Sequence, residues 1–317
     1  MPDKRVLNVA EDIRRLRIQG ASKILKAAIN AVSESAQHGK AKNIGQFRKQ
    51  LKENVVALAK ARPTEPGLRN ALKIILTHSV HEDSLEKAKW LVMEECAKAR
   101  DRSEDARRLI AKNGAEMMQR DSVVFTHCHS NTIEAMLEKA WRDKKISEVI
   151  CTETRPRYQG RLTAENLSLF GIPVTMIVDS AAATFIKKAD YFFSGADSVT
   201  ADGSVINKVG TRGISLAAKK AGVPHYVVTS SYKFDAETLD KETEIEERDS
   251  DEVWKERPKK LRIANPAFDV TEAGLIEGII YEKGVLAPHL FAIEMFRETG
   301  LEKRKTISLL SLLKNRK

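Results

Sequence analysis

Residues 121–130 read DSVVFTHCHS, an apolar run that ends abruptly in a polar turn. An amphipathic helical pattern follows, with apolar residues at Ile133, Met136, Leu137 and Ala140. This order predicts a buried strand that leads through a turn into a helix. Ligands bind beyond the carboxyl ends of the strands in an open parallel sheet, so Cys128 is expected at a binding edge. Taken alone, a cysteine between two histidines is as consistent with a zinc ligand or a merely buried thiol as with a residue of a binding site.

Short apolar strands alternate with helical patterns from Asp121 onward. The predicted strands are 123–126, 148–152, 174–178, 191–194 and 226–229. The predicted helices between them are 132–141, 163–170, 181–187 and 211–221. Such alternation predicts right-handed crossover units and a parallel sheet.

The residues before this region carry helical patterns almost throughout. Asn113-Gly114 is expected to end the helical region, which places a domain boundary at residues 118 and 119. The predicted fold class is therefore α/β: a helical N-terminal domain, residues 1–118, followed by a Rossmann-like parallel-sheet domain, residues 119–317. Gly20 interrupts the first helical pattern. It indicates either a packing contact between small residues or a break where backbone amides meet a ligand.

The composition limits the class of partner. A formal charge of +10 indicates anionic partners such as phosphorylated metabolites, nucleotides or nucleic acid. Aromatic residues make up only 6% of the chain and do not alternate with basic ones, so nucleic-acid binding is not favoured. No apolar run reaches eighteen residues, and we expect no contact with a membrane. The three cysteines stand at no disulfide or C-x-x-C spacing, which predicts a reducing, cytoplasmic setting.

Polar and cationic residues follow the predicted strands and are expected to line one edge of the sheet. They are Cys128, Arg155, Arg157, Asp197, Asn207, Lys208 and Lys233. Guanidinium groups bind oxyanions bidentately, although surface salt bridges are the alternative for the two arginines. Gly210-Thr211 opens a helix and is a second candidate anion site. The chain contains no G-x-x-x-x-G-K-[ST] and no G-x-G-x-x-G after the first strand, so the pattern favours a sugar-phosphate site over a standard nucleotide site.

The motifs THCHS, TETRPRYQG, GADS, INKVGT, SYKFD and NPAFDVT resemble one family along essentially the whole chain. That family joins the α, β and δ regulatory subunits of initiation factor two-B, methylthioribose-1-phosphate isomerases and archaeal ribose-1,5-bisphosphate isomerases. A cysteine in the turn after the first strand is typical of the isomerases. With Cys128 and Asp197 both present, the sequence resembles the ribose-1,5-bisphosphate isomerases most.

The resemblance implies conversion of ribose 1,5-bisphosphate to ribulose 1,5-bisphosphate in nucleoside monophosphate salvage. It implies Cys128 as the base and Asp197 as the acid, with no cofactor and no metal. It also implies a phosphorylated sugar as substrate, AMP as an activator and a homo-oligomer, a hexamer built as a trimer of dimers. The implied substrate-binding residues are Gly20, Ala21, Ser22, Lys23, Arg62, Ser130, Arg155, Arg157, Asn207, Lys208 and Lys233.

The two implied roles make opposite demands. A thiol has an ordinary pKa of about 8.5, and a cationic rim is expected to lower the pKa of Cys128 so that it serves as a base. Asp197 must instead stay protonated to act as an acid, which requires a closed site that excludes water.

Three residues depart from the isomerase pattern. Gln19 and Ser22 stand in Gln-Gly-Ala-Ser, where isomerases resemble Arg-Gly-Ala-Gly, and Asn131 stands where a lysine is often found. One phosphate-binding arginine is thus absent. These departures leave two alternatives open: a different phosphorylated sugar, or a regulatory-subunit homologue that contacts translation initiation factor two and binds nucleotides or sugar phosphates.

Overall fold

The computed structural model describes residues 1–18, 20–62, 65–79, 81–239 and 245–299. The described residues up to Asp105 form one compact unit, and those from Ala106 onward form another. Within these residues, no helix is both long enough and apolar enough to cross a membrane.

The first unit is helical. Its helices are α1 (Lys4–Arg14), α2 (Ala21–His38), α3 (Ile44–Ala61), α4 (Pro66–Ser79) and the first part of α5 (Leu85–Met117). Their apolar faces share one core, in which Ile13, Val32, Leu58, Leu72 and Val92 are fully buried. Gly20 lies at the start of α2 with φ 85°, and no atom lies within 4 Å of the position that a Cβ would take. The backbone conformation rather than close packing therefore favours glycine there.

The prediction that Asn113-Gly114 ends the helical region is wrong, because α5 continues to Met117. A Cβ on Gly114 would lie 2.2 Å from the sulfur of buried Met136, so the glycine permits close packing within the second unit. The side chain of Asn113 donates to the carbonyls of Tyr281 (2.9 Å) and Glu282 (3.2 Å). Asn113 and Gly114 interrupt the sequence pattern because they make contacts with other elements of the second unit, not because the helix ends there. The domain division at residues 118 and 119 stays a prediction.

The second unit contains two sheets. The helices after α5 are α6 (Asn131–Arg142), α7 (Gln159–Leu169), α8 (Ala182–Phe185), α9 (Thr211–Ala221) and α10 (Pro288–Thr299). The strands are β1 (Ser122–His127), β2 (Ile146–Thr152), β3 (Val174–Ile177), β4 (Tyr191–Ser194), β5 (Ser198–Thr200), β6 (Val205–Lys208), β7 (His225–Val228), β8 (Phe234–Asp235), β9 (Phe268–Thr271), β10 (Gly278–Tyr281) and β11 (Gly284–Leu286).

The larger sheet confirms the predicted Rossmann-like class. Its order is β11-β10-β7-β4-β1-β2-β3, and all neighbours are parallel except the antiparallel pair β10 and β11. Numbered along the chain, the six parallel strands stand in the doubly wound order 3-2-1-4-5-6. Val124 packs with α6 on one face, whereas its neighbour Phe125 packs with α9 on the other. Successive strand residues thus bury both faces of the sheet under helices.

The smaller sheet was not predicted. It has the order β8-β5-β6-β9 and places Asn207 and Lys208 inside β6. β6 pairs with β9, more than fifty residues later in the chain. Strands of two to four residues carry little periodicity, so the sequence pattern alone did not indicate this sheet.

Gly160, near the start of α7, allows that helix to approach the end of β2. A Cβ on Gly160 would lie 1.7 Å from the backbone oxygen of Thr152, and backbone atoms cannot move aside as a side chain does. We expect Gly160→Ala to lower the free energy of unfolding by about 3 kcal/mol. Gly213→Ala is the matched control, because Gly213 lies in α9 with no atom within 4 Å of the Cβ position.

For the control, the free energy of unfolding should rise by about 0.5–1 kcal/mol through better helix propensity. Urea denaturation of both variants measures the difference. An unchanged midpoint for Gly160→Ala would show that α7 does not require the close approach.

Candidate active site

Cys128 lies in a constrained turn directly after β1. Its φ is 69°, in the left-handed region, and its side chain is partly buried. Its backbone N–H donates to Thr154 Oγ1 at 3.0 Å. Its carbonyl accepts from Thr163 Oγ1, also at 3.0 Å. Side chains from the β2 end and from α7 thus hold the cysteine from two sides.

Asp197 follows β4, the neighbour of β1 on the side opposite β2. The strand order reverses between β1 and β4, and ligands of doubly wound folds bind in the crevice at that point. Gly195 marks the closeness of the two strand ends, because a Cβ there would lie 3.7 Å from Ser130 Oγ and 3.9 Å from Asn207 Oδ1. The predicted residues Ser130 and Asn207 are therefore brought together beside the Cys128 turn.

Lys208 connects the two proposed catalytic groups electrostatically. It is buried, with only 8% of its surface exposed. Burial lowers the pKa of its ammonium, whereas the charges of Cys128 and Asp197 act in the opposite direction. Among the described residues, no hydrogen bond or ion pair involves this ammonium. A buried lysine of this kind is suited to a bound anion or a developing negative charge.

The prediction that cations lower the pKa of Cys128 is wrong for this structure. Burial is the largest influence and raises the pKa of the thiol to about 11. The backbone amide of His129 and the charge of Lys208 act to lower it, whereas Asp197 and Asp179 add to the rise. A thiolate is disfavoured in a site with little water, and one lysine does not offset that effect.

The two arginines after β2 are exposed and already have partners. Arg157 forms an ion pair with Glu252 at 3.2 Å. Arg155 donates to Tyr158 Oη at 2.8 Å and to the carbonyl of Val253 at 3.2 Å. The alternative interpretation of these arginines, a surface salt bridge, therefore holds for Arg157.

Glu252 lies in a cluster of cations. Its Oε1 accepts from Arg157 and, at 2.6 Å, from Arg248. Burial acts to raise the pKa of this carboxyl, but Arg248, Arg157 and Lys208 outweigh it and hold the pKa below its ordinary value. The other oxygen, Oε2, is buried and has no hydrogen-bond partner among the described residues. Half of the carboxylate is therefore unsatisfied.

The remaining predicted residues of this unit make local contacts. Ser130 Oγ caps α6 by accepting from the N–H of Ile133 at 3.4 Å. Asn207 Nδ2 donates to Thr211 Oγ1 at 3.0 Å. Lys233 Nζ donates to the carbonyl of Ala196, next to Asp197, at 2.5 Å. Each polar group is thus fixed near the ends of β1 and β4.

Two aspartates that the sequence did not single out occupy backbone amides at this edge. Asp269 accepts from the N–H groups of Gly210 (2.7 Å) and Arg212 (3.2 Å). The helix start at Gly210-Thr211 is therefore not an open anion site, and that prediction is wrong. Asp179 similarly accepts from Thr154 (2.8 Å) and Arg155 (2.6 Å). The sequence signals were an acid after a predicted strand for Asp179 and the motif NPAFDVT for Asp269, and neither reveals the partners of the carboxylate.

The other predicted substrate-binding residues belong to the first unit. Ala21, Ser22 and Lys23 form the first turn of α2, and Ser22 and Lys23 are exposed. The N-cap residue of this helix is Gly20, which provides no side-chain hydrogen bond. Arg62 ends α3 and is partly buried. The departure at Gln19 lies outside the described residues.

Among the described residues, no group of three or more His, Cys, Asp or Glu is arranged to hold a metal ion. The histidines beside Cys128 have protein partners instead. His127 contacts Thr152 Oγ1 (2.6 Å) and the carbonyl of Val209 (3.0 Å). His129 Nδ1 lies 3.0 Å from Glu134 Oε1.

Comparison with known proteins places this arrangement in a family. Residues 17–288 match the sequence profile of the Initiation factor 2 subunit family. The chain belongs to that family. This membership confirms the resemblance that the motifs indicated.

Several members of the Initiation factor 2 subunit family are similar over most of their length. The ribose 1,5-bisphosphate isomerase of Thermococcus kodakarensis is 39% identical, covering 93% of this chain and 94% of that protein. The methylthioribose-1-phosphate isomerase of Heliobacterium modesticaldum is 32% identical, covering 92% and 90%. The crystal structure of translation initiation factor eIF-2B from Pyrococcus horikoshii superposes with a TM-score of 0.79 at 29% identity, covering 90% and 98%. The family thus includes both isomerases and initiation factors.

The raised pKa of Cys128 in this family member gives a pH test. Below the pKa, the thiolate fraction rises tenfold per pH unit, so alkylation of Cys128 by iodoacetamide should accelerate about 100-fold between pH 8 and pH 10. A thiol with the ordinary pKa of about 8.5 would accelerate only about fourfold.

Peptide mass mapping separates Cys128 from Cys96 and Cys151, which are buried. Urea-unfolded protein is the control and should show the fourfold change at all three cysteines. A fourfold change in the folded protein would contradict the raised pKa.

Proposed function

We propose that this protein is a sugar-phosphate isomerase that converts ribose 1,5-bisphosphate to ribulose 1,5-bisphosphate in nucleoside monophosphate salvage. The observation that carries the proposal is the placement of Cys128 and Asp197 after neighbouring strands, with Lys208 interacting electrostatically with both. Similarity to archaeal ribose 1,5-bisphosphate isomerases at 35–39% identity supports the choice of substrate.

The reaction requires one base and one acid. The anomeric carbon carries a phosphate, so the ring cannot open to a free aldehyde. The thiolate form of Cys128 removes the proton from C2 while Asp197 protonates the departing ring oxygen, which leaves a double bond between C1 and C2. Cys128 then returns its proton to C1 and Asp197 takes the hydroxyl proton at C2, giving the ketone. Atoms and charges balance, and both side chains end in their starting states.

Lys208 supports the base in this scheme. Its charge acts to lower the pKa of Cys128, against the burial that raises it. The same ammonium is placed to stabilise negative charge that develops on the substrate oxygen during enolisation. Ser130, Arg155, Arg157, Asn207 and Lys233 are proposed to hold the substrate in the crevice. Gly20, Ala21, Ser22, Lys23 and Arg62 stay proposed substrate-binding residues.

Arg157 Nη1 already donates to Glu252, so a substrate phosphate competes with that carboxylate for the guanidinium. A phosphate dianion is the stronger acceptor for guanidinium groups, and the carboxylate that it replaces has an unsatisfied oxygen. We therefore propose that Glu252 occupies Arg157 and Arg248 until the substrate displaces it.

The proposal extends to partners and location. AMP is proposed as an activator, and the chain as the subunit of a homo-oligomer, a hexamer formed by a trimer of dimers. The resemblance to archaeal isomerases supports both. Three free cysteines support a reducing, cytoplasmic setting.

A regulatory function is the second candidate. Gln19 stands where the isomerase motif has a phosphate-binding arginine, and the P. horikoshii structure of similar fold is that of an initiation factor. On this alternative the crevice binds a nucleotide or sugar phosphate without converting it, and the chain contacts translation initiation factor two.

Turnover of ribose 1,5-bisphosphate, with and without AMP, separates the two. Cys128→Ser and Asp197→Asn should each lower kcat at least 1,000-fold, because each removes a group that transfers a proton. Serine and asparagine preserve size, so thermal unfolding should stay unchanged. No turnover by folded wild-type protein, together with nucleotide binding by calorimetry, would favour the regulatory function.

Glu252→Gln tests the displacement of the carboxylate. Glutamine keeps the size of the side chain but no longer neutralises Arg157, so KM should fall about two- to tenfold while kcat stays within about twofold. Glu272→Gln is the control, since Glu272 forms an exposed ion pair with Arg212 and should leave KM unchanged. A higher KM in Glu252→Gln would mean that the carboxylate itself binds the substrate.

A further inference from the structure

We propose that Thr154 and Thr163 are positioning residues that hold the Cys128 turn, and through it the thiol, in the orientation needed for proton transfer. The two hydroxyl groups bind the backbone N–H and the carbonyl of Cys128, each at 3.0 Å. Thr154 and Thr163 together form a threonine clamp. The inference rests on the proposed function, because its first measurement is turnover.

The clamp acts on a backbone conformation that needs support. Cys128 has φ 69°. Residues other than glycine and asparagine rarely adopt this conformation, which carries a free-energy penalty of about 1–3 kcal/mol. Such a conformation persists only where the surroundings impose it. Both backbone polar groups of Cys128 accordingly have side-chain partners from other elements, Thr154 after β2 and Thr163 in α7.

One branch of hydrogen bonds fixes the hydroxyl of Thr154. The carbonyl of Val209 only accepts, so His127 Nε2 must carry the hydrogen at that 3.0 Å contact. Burial lowers the pKa of His127, so the ring is neutral and its Nδ1 accepts from Thr152 Oγ1 at 2.6 Å. Thr152 has thereby used its hydrogen. At the 3.3 Å contact of Thr152 with Thr154, Thr154 must then be the donor, which leaves its oxygen free to accept from Cys128.

A second branch fixes the hydroxyl of Thr163. Its hydrogen goes to the carbonyl of Cys128, so at the 3.2 Å contact with His129 the ring Nδ1 must be the donor. The same N–H faces Glu134 Oε1 at 3.0 Å. Asn166 Nδ2 donates to both oxygens of Glu134, at 3.1 and 3.2 Å, and holds that carboxylate in place.

Every hydrogen in the two branches therefore has a single direction. The directions are set by two groups that can only accept a hydrogen bond. They are the backbone carbonyl of Val209 at one end and the carboxylate of Glu134 at the other. Among the described residues, neither hydroxyl of the clamp forms a hydrogen bond with the thiol, so both act through the backbone of Cys128. A displacement of about 1 Å at a reacting atom lowers a rate about 100-fold, so loss of the clamp should lower kcat more than it changes KM.

The test replaces the hydroxyls without changing side-chain shape. Thr154→Val and Thr163→Val should each lower kcat about 10- to 100-fold, with KM within about twofold of the wild type. Thr154→Ser and Thr163→Ser keep the hydroxyl and should restore kcat to within about threefold. Thr175→Val is the matched control: Thr175 lies in β3 and donates to Glu148 Oε1 at 2.5 Å, and its loss should leave both constants unchanged.

Two results would overturn the proposal: serine variants as slow as the valine variants, or valine variants with raised KM and unchanged kcat. Slow serine variants would mean that the threonines act through packing. A raised KM with unchanged kcat would mean that they bind the substrate. Thr163→Val alone carries the test if circular dichroism shows that Thr154→Val does not fold.

A second measurement is independent of turnover. Alkylation of Cys128 at fixed pH should change at least threefold in the valine variants and not in the serine variants or in Thr175→Val. If wild-type protein converts no ribose 1,5-bisphosphate, the proposed function fails, whereas the alkylation rates still decide whether the clamp controls the thiol. Equal rates in all variants would refute the clamp whatever the turnover.

Discussion

The parallel pairing of β1 with β4 is the constraint on which the site depends. In this ladder Val124, Phe125 and Thr126 pair with Tyr191, Phe192 and Phe193, and His127 pairs with Ser194. Cys128 and Gly195 therefore leave the sheet at the same level. Val124, Phe125, Phe192 and Phe193 are fully buried. A slip of one strand by one residue would move its apolar side chains to the opposite face of the sheet, against different helices. The hydrophobic core thus fixes the spacing between the strand that leads to the thiol and the strand that leads to the acid.

The same burial works against the chemistry. It raises the pKa of Cys128 and lowers that of Lys208, so both groups are held away from their charged states. Charged partners nearby offset this effect only in part. Lys208 therefore gains most from a ligand that brings negative charge beside its ammonium. The crevice is less stable than it would be with apolar residues at these positions, as is common where a fold carries function.

The sequence allowed the elements of the larger sheet to be predicted better than the contacts at its edge. β4 and α9 occupy the predicted residues, because the apolar period is regular and glycines or polar turns limit it on both sides. The smaller sheet escaped prediction because its strands are short, and because β8 and β9 pair with strands far away in the chain. At the site, Cys128 and Asp197 followed from their position after strands. The partners of Arg157 and of the Gly210 amide come from residues far along the chain, and no local pattern encodes such distant pairings.

The left-handed backbone at Cys128 has an evolutionary consequence. A glycine or an asparagine would adopt this φ with less strain than cysteine does. At position 128 the threonine hydroxyls bind only the backbone N–H and carbonyl, which every residue except proline possesses. The architecture therefore does not need the sulfur. A single codon change at this position could abolish proton transfer while leaving the crevice, its cations and the surrounding sheet intact. In a family that contains both isomerases and initiation factors, such a change offers a short path from a catalyst to a ligand sensor.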